Sequence, residues 1–245
     1  MVSAARLGIV VPARNEEELL PGCLAALRTA VAAPGRSGIP VRVVVVADGC
    51  TDDTVALARA GGAVVLGGGR AGRGNVGAAR DAGVRWLLAD AAEADVPPER
   101  LWVVTTDADS VVPPDWLVLH ETAAASGVDA VVGTVAVGDW AGHRPEVAAA
   151  FEATYSAWRS AGPAAVHPHV HGAHLGVRGS AYLACGGFPA APVSEDVALV
   201  RALERAGAII LRTPASPVLP SARRVPRARG GFGDDIDRMA SDLSG

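Results

Sequence analysis

Two carboxylates, Asp107 and Asp109, close a short apolar run, Leu101-Trp102-Val103-Val104-Thr105-Thr106. In an extended chain an i, i+2 pair projects to one face, because strand side chains alternate with period two. Carboxylates this close repel each other unless a cation or a proton lies between them. A hard divalent ion, Mg²⁺ or Mn²⁺, held by these oxygens together with the phosphates of a ligand would satisfy the pair. Loop aspartates that cap a following helix would account for the same residues.

The other chemistry-bearing residues stand where an open parallel sheet would present them, since ligands of such sheets bind beyond the carboxyl ends of the strands. Those ends read Pro12-Ala13-Arg14-Asn15, Ala47-Asp48-Gly49, Gly67-Gly68-Gly69 and Asp107-Ala108-Asp109. A nucleotide needs an acceptor for a base N–H, donors for phosphate and a metal for its diphosphate. Asp48 can serve the first, Arg14 or Arg80 the second, and Asp109 the third. Asp48 equally suits a strand-end turn with Gly49. Gly72-Arg73-Gly74-Asn75-Val76-Gly77 matches G-x-G-x-x-G, but it follows the third strand. The dinucleotide fingerprint belongs to the first βα turn, so this match reads as a loop and a dehydrogenase is an outsider.

Three further groups have two readings each. Glu195 and Asp196 follow Ser194 at a helix start. Either Ser194 caps the helix and the acids favour its dipole, or a carboxylate there is a general base for an acceptor hydroxyl. His167, His169, His171 and His174 suggest a metal site, with His169 and His171 on one face of an extended chain; with no Cys or acid nearby, they equally suit bonds to backbone or ligand. Arg223, Arg224, Arg227 and Arg229 form either a solvated basic tail or a lid whose guanidinium groups close over a diphosphate.

Composition narrows the choice. All 22 basic residues are arginine. A chain without lysine has no Walker-A loop, no pyridoxal Schiff base and no lysine-dependent aldolase chemistry. It must neutralise phosphate with arginine or metal, which favours the lid and counts against a sugar nucleotidyltransferase. A net charge of −4 argues against general binding of nucleic acid. The 245 residues suit one large domain or one domain with a modest appendage. No apolar run reaches the length of a membrane span, and the N-terminus lacks signal-peptide features. Cys23, Cys50 and Cys185 are widely spaced and suit a reduced cytoplasm as small buried hydrophobes.

These residues must be positioned by alternating elements. Strands are predicted over 7–11, 41–47, 63–66 and 101–106, and helices over 15–32, 51–60 and 77–89. Asn15 is the expected cap of the first helix, with Glu18 at its third position, and Thr51-Asp52-Asp53 the cap of the second. Strand–helix alternation at this spacing implies βαβ units and an α/β fold with a parallel sheet. Farther on, a helix over 113–125, a strand over 130–137 and an amphipathic helix over 146–161 follow. Then come a strand over 175–177, a small helix, a helix from Ser194 and a strand over 208–211. Residues from about 214 read as a Pro-, Ser-, Arg- and Gly-rich tail.

The order of these motifs resembles the GT-A glycosyltransferases of family 2, inverting enzymes that use nucleotide-sugar donors. Val10-Val11-Pro12-Ala13-Arg14-Asn15-Glu16 is similar to the family's opening nucleotide-binding segment. Asp48-Gly49-Cys50-Thr51-Asp52-Asp53-Thr54 resembles its D-G-S-T-D-x-T signature, with Cys50 in place of serine. Ala79-Arg80-Asp81 resembles A-R-N, Asp107-Ala108-Asp109 the DXD element, and Gly172-Ala173-His174-Leu175 the acceptor-side G-A-N-L, with His174 in place of asparagine. Gly186-Gly187-Phe188 and the Glu195-Asp196 pair follow in the family's order.

The resemblance covers roughly residues 7–212 and implies a GT-A fold with a mainly parallel central sheet flanked by helices. It implies a domain over 1–213, with a nucleotide-binding half over about 1–110 and an acceptor half over 111–213, followed by an Arg-rich tail or lid over 214–245. Pro12, Arg14, Glu16, Asp48, Arg80, Asp107, Ala108, Asp109, Arg223 and Arg224 are then the expected donor-site residues. Asp48 would accept from the base, Asp107 approach the ribose and Asp109 ligate Mg²⁺ or Mn²⁺. Asp196, paired with Glu195, would be the catalytic base.

The family's processive members carry Q-x-x-R-W and membrane helices, neither of which occurs here. A single hexosyl transfer to a discrete hydroxyl acceptor, small or lipid-linked, is the expectation, in the cytoplasm or peripheral at a membrane. A sugar nucleotidyltransferase and a non-catalytic nucleotide-sugar binding module are the alternatives.

Overall fold

The β-branched runs become strands buried on both faces. A computed structural model describes residues 3–67, 74–138, 140, 144–160 and 167–221. The first seven elements are β1 (Arg6–Ala13), α1 (Leu20–Val31), β2 (Val41–Ala47), α2 (Thr54–Ala60), β3 (Val64–Gly67), α3 (Val76–Glu93) and β4 (Leu101–Thr105). They are followed by β5 (Ser110–Val111), α4 (Trp116–Ala125), β6 (Ala130–Val132), α5 (Pro145–Arg159) and β7 (Leu175–Arg178). The described chain ends with α6 (Gly179–Cys185), α7 (Glu195–Arg205), β8 (Ile210–Arg212) and β9 (Leu219–Pro220).

Seven strands form one sheet in the order β3-β2-β1-β4-β7-β6-β8. β1, β2, β3 and β4 pair in parallel, β7 runs antiparallel between β4 and β6, and β8 is parallel to β6. β5 and β9 make a separate antiparallel ribbon. The strand alternation sorts the core into two layers. Ile9, Val11, Val45, Trp102 and Val104 share one with Leu20, Leu27, Trp116 and Leu117 from α1 and α4. Val10, Val44, Val46, Leu101 and Val103 share the other with Val84, Leu87, Leu199 and Leu203 from α3 and α7. Each such side chain contributes about 1.5–3 kcal/mol through burial, so the sheet is a rigid base for the loops at its carboxyl edge.

The first helix begins five residues later than its sequence suggests. Asn15 adopts a left-handed conformation, φ 54°, instead of capping α1. Its side-chain carbonyl accepts from Thr51 N–H at 2.8 Å, while Glu16 N–H donates to Thr54 Oγ1 at 2.7 Å and Glu17 N–H to Asp52 Oδ2 at 3.1 Å. Glu17 returns a bond by accepting from Asp53 N–H at 3.0 Å. Residues 15–17 therefore tie the loop after β1 to the loop after β2, and only beyond them does the helix start. At α2 the N-cap residue, Asp53, makes no side-chain cap bond, and Asp52 Oδ1 accepts from Thr54 N–H at 3.1 Å instead.

Two other boundaries move. β6 stops at Val132, although Gly133 N–H still donates to the His174 carbonyl at 3.0 Å, in register with the β6–β7 ladder. Val135 then makes only an isolated bridge to Val218. The stretch read as tail opens with an ordered strand, β9, paired to β5 next to the Asp107–Asp109 turn. No helix among the described residues is long and apolar enough to cross a membrane.

Candidate active site

Asp107 and Asp109 do not lie on one face of a strand. β4 ends at Thr105, and Ser110 N–H donates to the Asp107 carbonyl at 3.1 Å, which closes a turn around Ala108 and Asp109. The expected like-charge problem is resolved by the chain itself. Arg80 Nη2 donates to Asp107 Oδ1, so an arginine supplies the countercharge that the sequence alone suggested for a metal. Asp109 is half-buried on the same turn, and its backbone carbonyl accepts from Ser221 N–H at 3.2 Å. Ala108 is buried and packs into the core layer of α1 and α4. Cys23 Sγ–H reaches the Asp107 carbonyl at 3.4 Å, a contact with no signal in the sequence.

A second group of the expected residues stands at the ends of β1 and β2. The sheet register places Pro12 opposite Val46 and Ala13 opposite Ala47. Asp48 N–H donates to the Ala13 carbonyl at 2.9 Å, and Gly49 takes φ 69°, so the strand-end turn is real. The Asp48 carboxylate is also engaged: Oδ2 accepts from Asn75 N–H at 2.9 Å. Asn75 in turn caps α3, accepting from Ala78 N–H at 2.9 Å. Arg14 is exposed, and its guanidinium lies over Gly74, where a Cβ would come within 2.1 Å of Nη1. Glu16 is buried beside Thr54. Residues 68–73, including part of the G-x-G-x-x-G match, lie outside the described residues, as do Arg223, Arg224, Arg227 and Arg229.

Arg80 joins the two halves. It is 3% exposed, and besides Asp107 it binds Glu195, with Nη1 donating to Oε1. Glu195 is thus buried in an ion pair, whereas Asp196 is half-buried. Asp196 Oδ2 accepts from Gly172 N–H at 2.8 Å and Oδ1 from Val197 N–H at 2.7 Å. Thr105 Oγ1–H donates to the Gly172 carbonyl at 2.6 Å, so the peptide units on both sides of Gly172 are held. Ser194 occupies the cap position of α7 in a left-handed conformation, φ 57°, but its side chain makes no cap bond. The expected Ser194 cap is therefore absent.

The histidines divide into a row and a core residue. His167, His169 and His171 alternate along an extended segment with rings 6.3 and 6.2 Å apart and nearly parallel. Each has a protein partner. His167 Nε2 bonds the Val132 carbonyl at 3.1 Å, His169 Nε2 the Thr154 carbonyl at 3.3 Å, and His171 Nε2 the Tyr155 hydroxyl at 2.8 Å. Tyr155 also stacks on His169 at 4.1 Å. The row seats α5 against this segment. No group of three or more His, Cys, Asp or Glu among the described residues could hold a metal ion.

His174, which stands where the family pattern has asparagine, is fully buried. Its ring meets Trp116 and His120, and its Nδ1–H donates to the Thr134 carbonyl at 3.0 Å. His120, which no sequence motif marked, sits in the same cluster and accepts from Trp102 Nε1–H at 3.4 Å.

Burial pushes these imidazoles toward the neutral form. His174 falls from 6.5 to about 4 and His171 from 6.5 to about 3, both mainly by desolvation. His120 is lowered well below 6.5 by desolvation and by the neighbouring His174. Between pH 6.5 and about 4 the unfolded chain takes up a proton at His174 that the folded chain refuses. Stability is therefore full above pH 6.5 and declines as the pH falls, by on the order of 3 kcal/mol for His174 alone. Urea unfolding at pH 7 and pH 4.5 reads this directly; equal midpoints at the two pH values would refute it.

A family model described as glycosyl transferase family 2 matches residues 8–177. No curated protein sequence matches the chain. Among solved structures, the chain is similar to TarS 1–349 of S. aureus in complex with UDP-GlcNAc, with a TM-score of 0.63 and 14% identity; the match covers 97% of this chain and 66% of that one. It is similar to the mannosyltransferase PcManGT of Pyrobaculum calidifontis in complex with GDP-Man and Mn²⁺, at TM-score 0.59 and 22% identity, covering 96% and 61%. It is also similar to glucosyl-3-phosphoglycerate synthase of Mycobacterium tuberculosis in complex with Mn²⁺, UDP and glucosyl-3-phosphoglycerate, at TM-score 0.57 and 19% identity, covering 98% and 77%. The chain spans less than two thirds of the first two structures' length.

Proposed function

Since the chain belongs to glycosyl transferase family 2 and has the GT-A fold, we propose that it moves one hexose from a nucleoside-diphosphate sugar to an acceptor hydroxyl with inversion. Asp196 is the general base. It takes the proton of the acceptor O–H as that oxygen bonds to the anomeric carbon. The bond from that carbon to the diphosphate oxygen breaks, and the nucleoside diphosphate leaves with the electron pair. The observation that carries this reading is the way Asp196 is held. Two backbone N–H groups, from Gly172 and Val197, orient its carboxylate at the start of α7, as a positioned base requires. Glu195 is committed to Arg80, which leaves Asp196 as the member of the pair able to meet an acceptor.

The donor lies along the strand ends. Asp48 accepts from the base, and its bond to Asn75 N–H fixes the carboxylate for that role. Pro12, Glu16 and Ala108 shape the floor, Asp107 approaches the ribose, and Arg14 faces the phosphates. The residues fit a divalent ion of the kind held by one or two carboxylates together with substrate phosphates, not one caged by protein alone. Asp109 would hold it, on a turn stiffened by Ser110 and Ser221. When bound, Mg²⁺ or Mn²⁺ supplies positive charge to the departing diphosphate. Arg223 and Arg224 follow Ser221 by two and three residues, close in sequence to the turn they would serve.

A thermal-shift screen of UDP, GDP and dTDP and their sugars, with and without Mn²⁺, tests the donor class. One nucleotide with Mn²⁺ at about 100 times its Kd should stabilise the fold by roughly 2.7 kcal/mol. Binding with no turnover of any donor would favour the binding-module alternative, and no stabilisation by any of them would end the proposal.

A further inference from the structure

Among the described residues, Arg80 is a buried cation of the site to which the scheme above gives no step. Its guanidinium binds Asp107 on the turn that carries Asp109, and Glu195 beside Asp196. It is also roofed by Gly172: a Cβ there would stand 2.5 Å from Arg80 Cζ. Gly172 is the residue whose N–H holds Asp196 and whose carbonyl accepts from Thr105. A single planar group therefore touches the leaving-group side, the base side and the peptide that aims the base.

We infer that Arg80 is a positioning residue that sets the distance between the Asp109 turn and Asp196, and is not a ligand of the donor phosphates. Two features separate these roles. The guanidinium already faces two carboxylates, and it is closed off by Gly172, so a diphosphate has neither charge to claim nor a path of approach. The shape of the group matters too. A guanidinium offers separate N–H groups to two carboxylates in a fixed plane, which a single ammonium does not reproduce.

The inference rests on Asp196 being the base, and its test separates the two. In the 245-residue chain, Arg80→Lys keeps the charge but loses the planar fork. Binding of UDP and GDP with Mn²⁺ is measured by calorimetry, and turnover by release of nucleotide from UDP-GlcNAc and GDP-mannose. Arg80→Lys should bind nucleotide within about threefold of the native protein while kcat drops by roughly 10²-fold with little change in KM, the signature of misplaced reacting groups. Nucleotide affinity lowered by about tenfold or more at unchanged kcat would make Arg80 a phosphate ligand and overturn the inference. Native behaviour in both assays would overturn it as well.

If Arg80→Lys does not fold, Glu195→Gln serves instead. It keeps an acceptor for Nη1 and should show the same split between kcat and binding. A native protein that binds neither nucleotide would defeat the functional reading itself, whatever the variants do.

Discussion

Asp109→Ala should abolish the Mn²⁺-dependent part of nucleotide binding and lower turnover by about 10³-fold, the scale on which charge stabilisation of a leaving group operates. Asp107 is bonded to Arg80, and removing it would expose a buried cation as well as a ligand. Asp109 Oδ1 accepts from Ser110 Oγ–H at 3.4 Å, and its turn is closed by backbone bonds that alanine keeps. The variant should therefore fold normally and fail only where the metal matters. Calorimetry with UDP and with GDP, each with and without Mn²⁺, separates the two contributions. An Asp109→Ala protein with an undiminished Mn²⁺ effect would falsify the metal role.

Asp196→Asn should leave nucleotide binding intact and reduce turnover by roughly 10²–10⁴-fold, the contribution typical of a positioned general base. The amide oxygen can still accept one of the two N–H bonds that the carboxylate receives from Gly172 and Val197. The other N–H then faces an NH₂ group, which costs about 1–3 kcal/mol. Comparing melting temperature with kcat tells the effects apart. A carboxylate that only secures α7 would lower the melting temperature and leave kcat per folded molecule unchanged.

The turn chemistry at the end of β2 was legible because it is local. Asp48 and Gly49 form the turn that their types suggest at the end of a buried strand, whereas the Asn75 cap of α3 falls in a stretch read only as a loop. Asn15 shows the limit of such reasoning. Its type and its neighbours describe a helix cap, yet its side chain bonds Thr51, thirty-six positions away. The competing partner comes from an adjacent strand end, which local propensity does not contain. Arg80 shows the same limit from the other side. As a sequence position it is a cation near glycines, suited to phosphate; in the fold it is buried by α3 against Asp107 and Glu195.

The sequence by itself determined the alternating α/β order, the two-faced burial of the strands and the placing of acidic residues at their ends. Those follow from side-chain periodicity and from turn chemistry, which act over a few residues. Only the tertiary structure decided which charge meets which. It closed Asp107 onto Arg80, assigned Glu195 to the same cation, and set Asp196 on the Gly172 amide. It also turned His174 into the core with His120 and Trp116. Ion pairing and burial depend on distances between residues far apart in the chain. Those distances exist only once β4, β7, α3 and α7 have packed together.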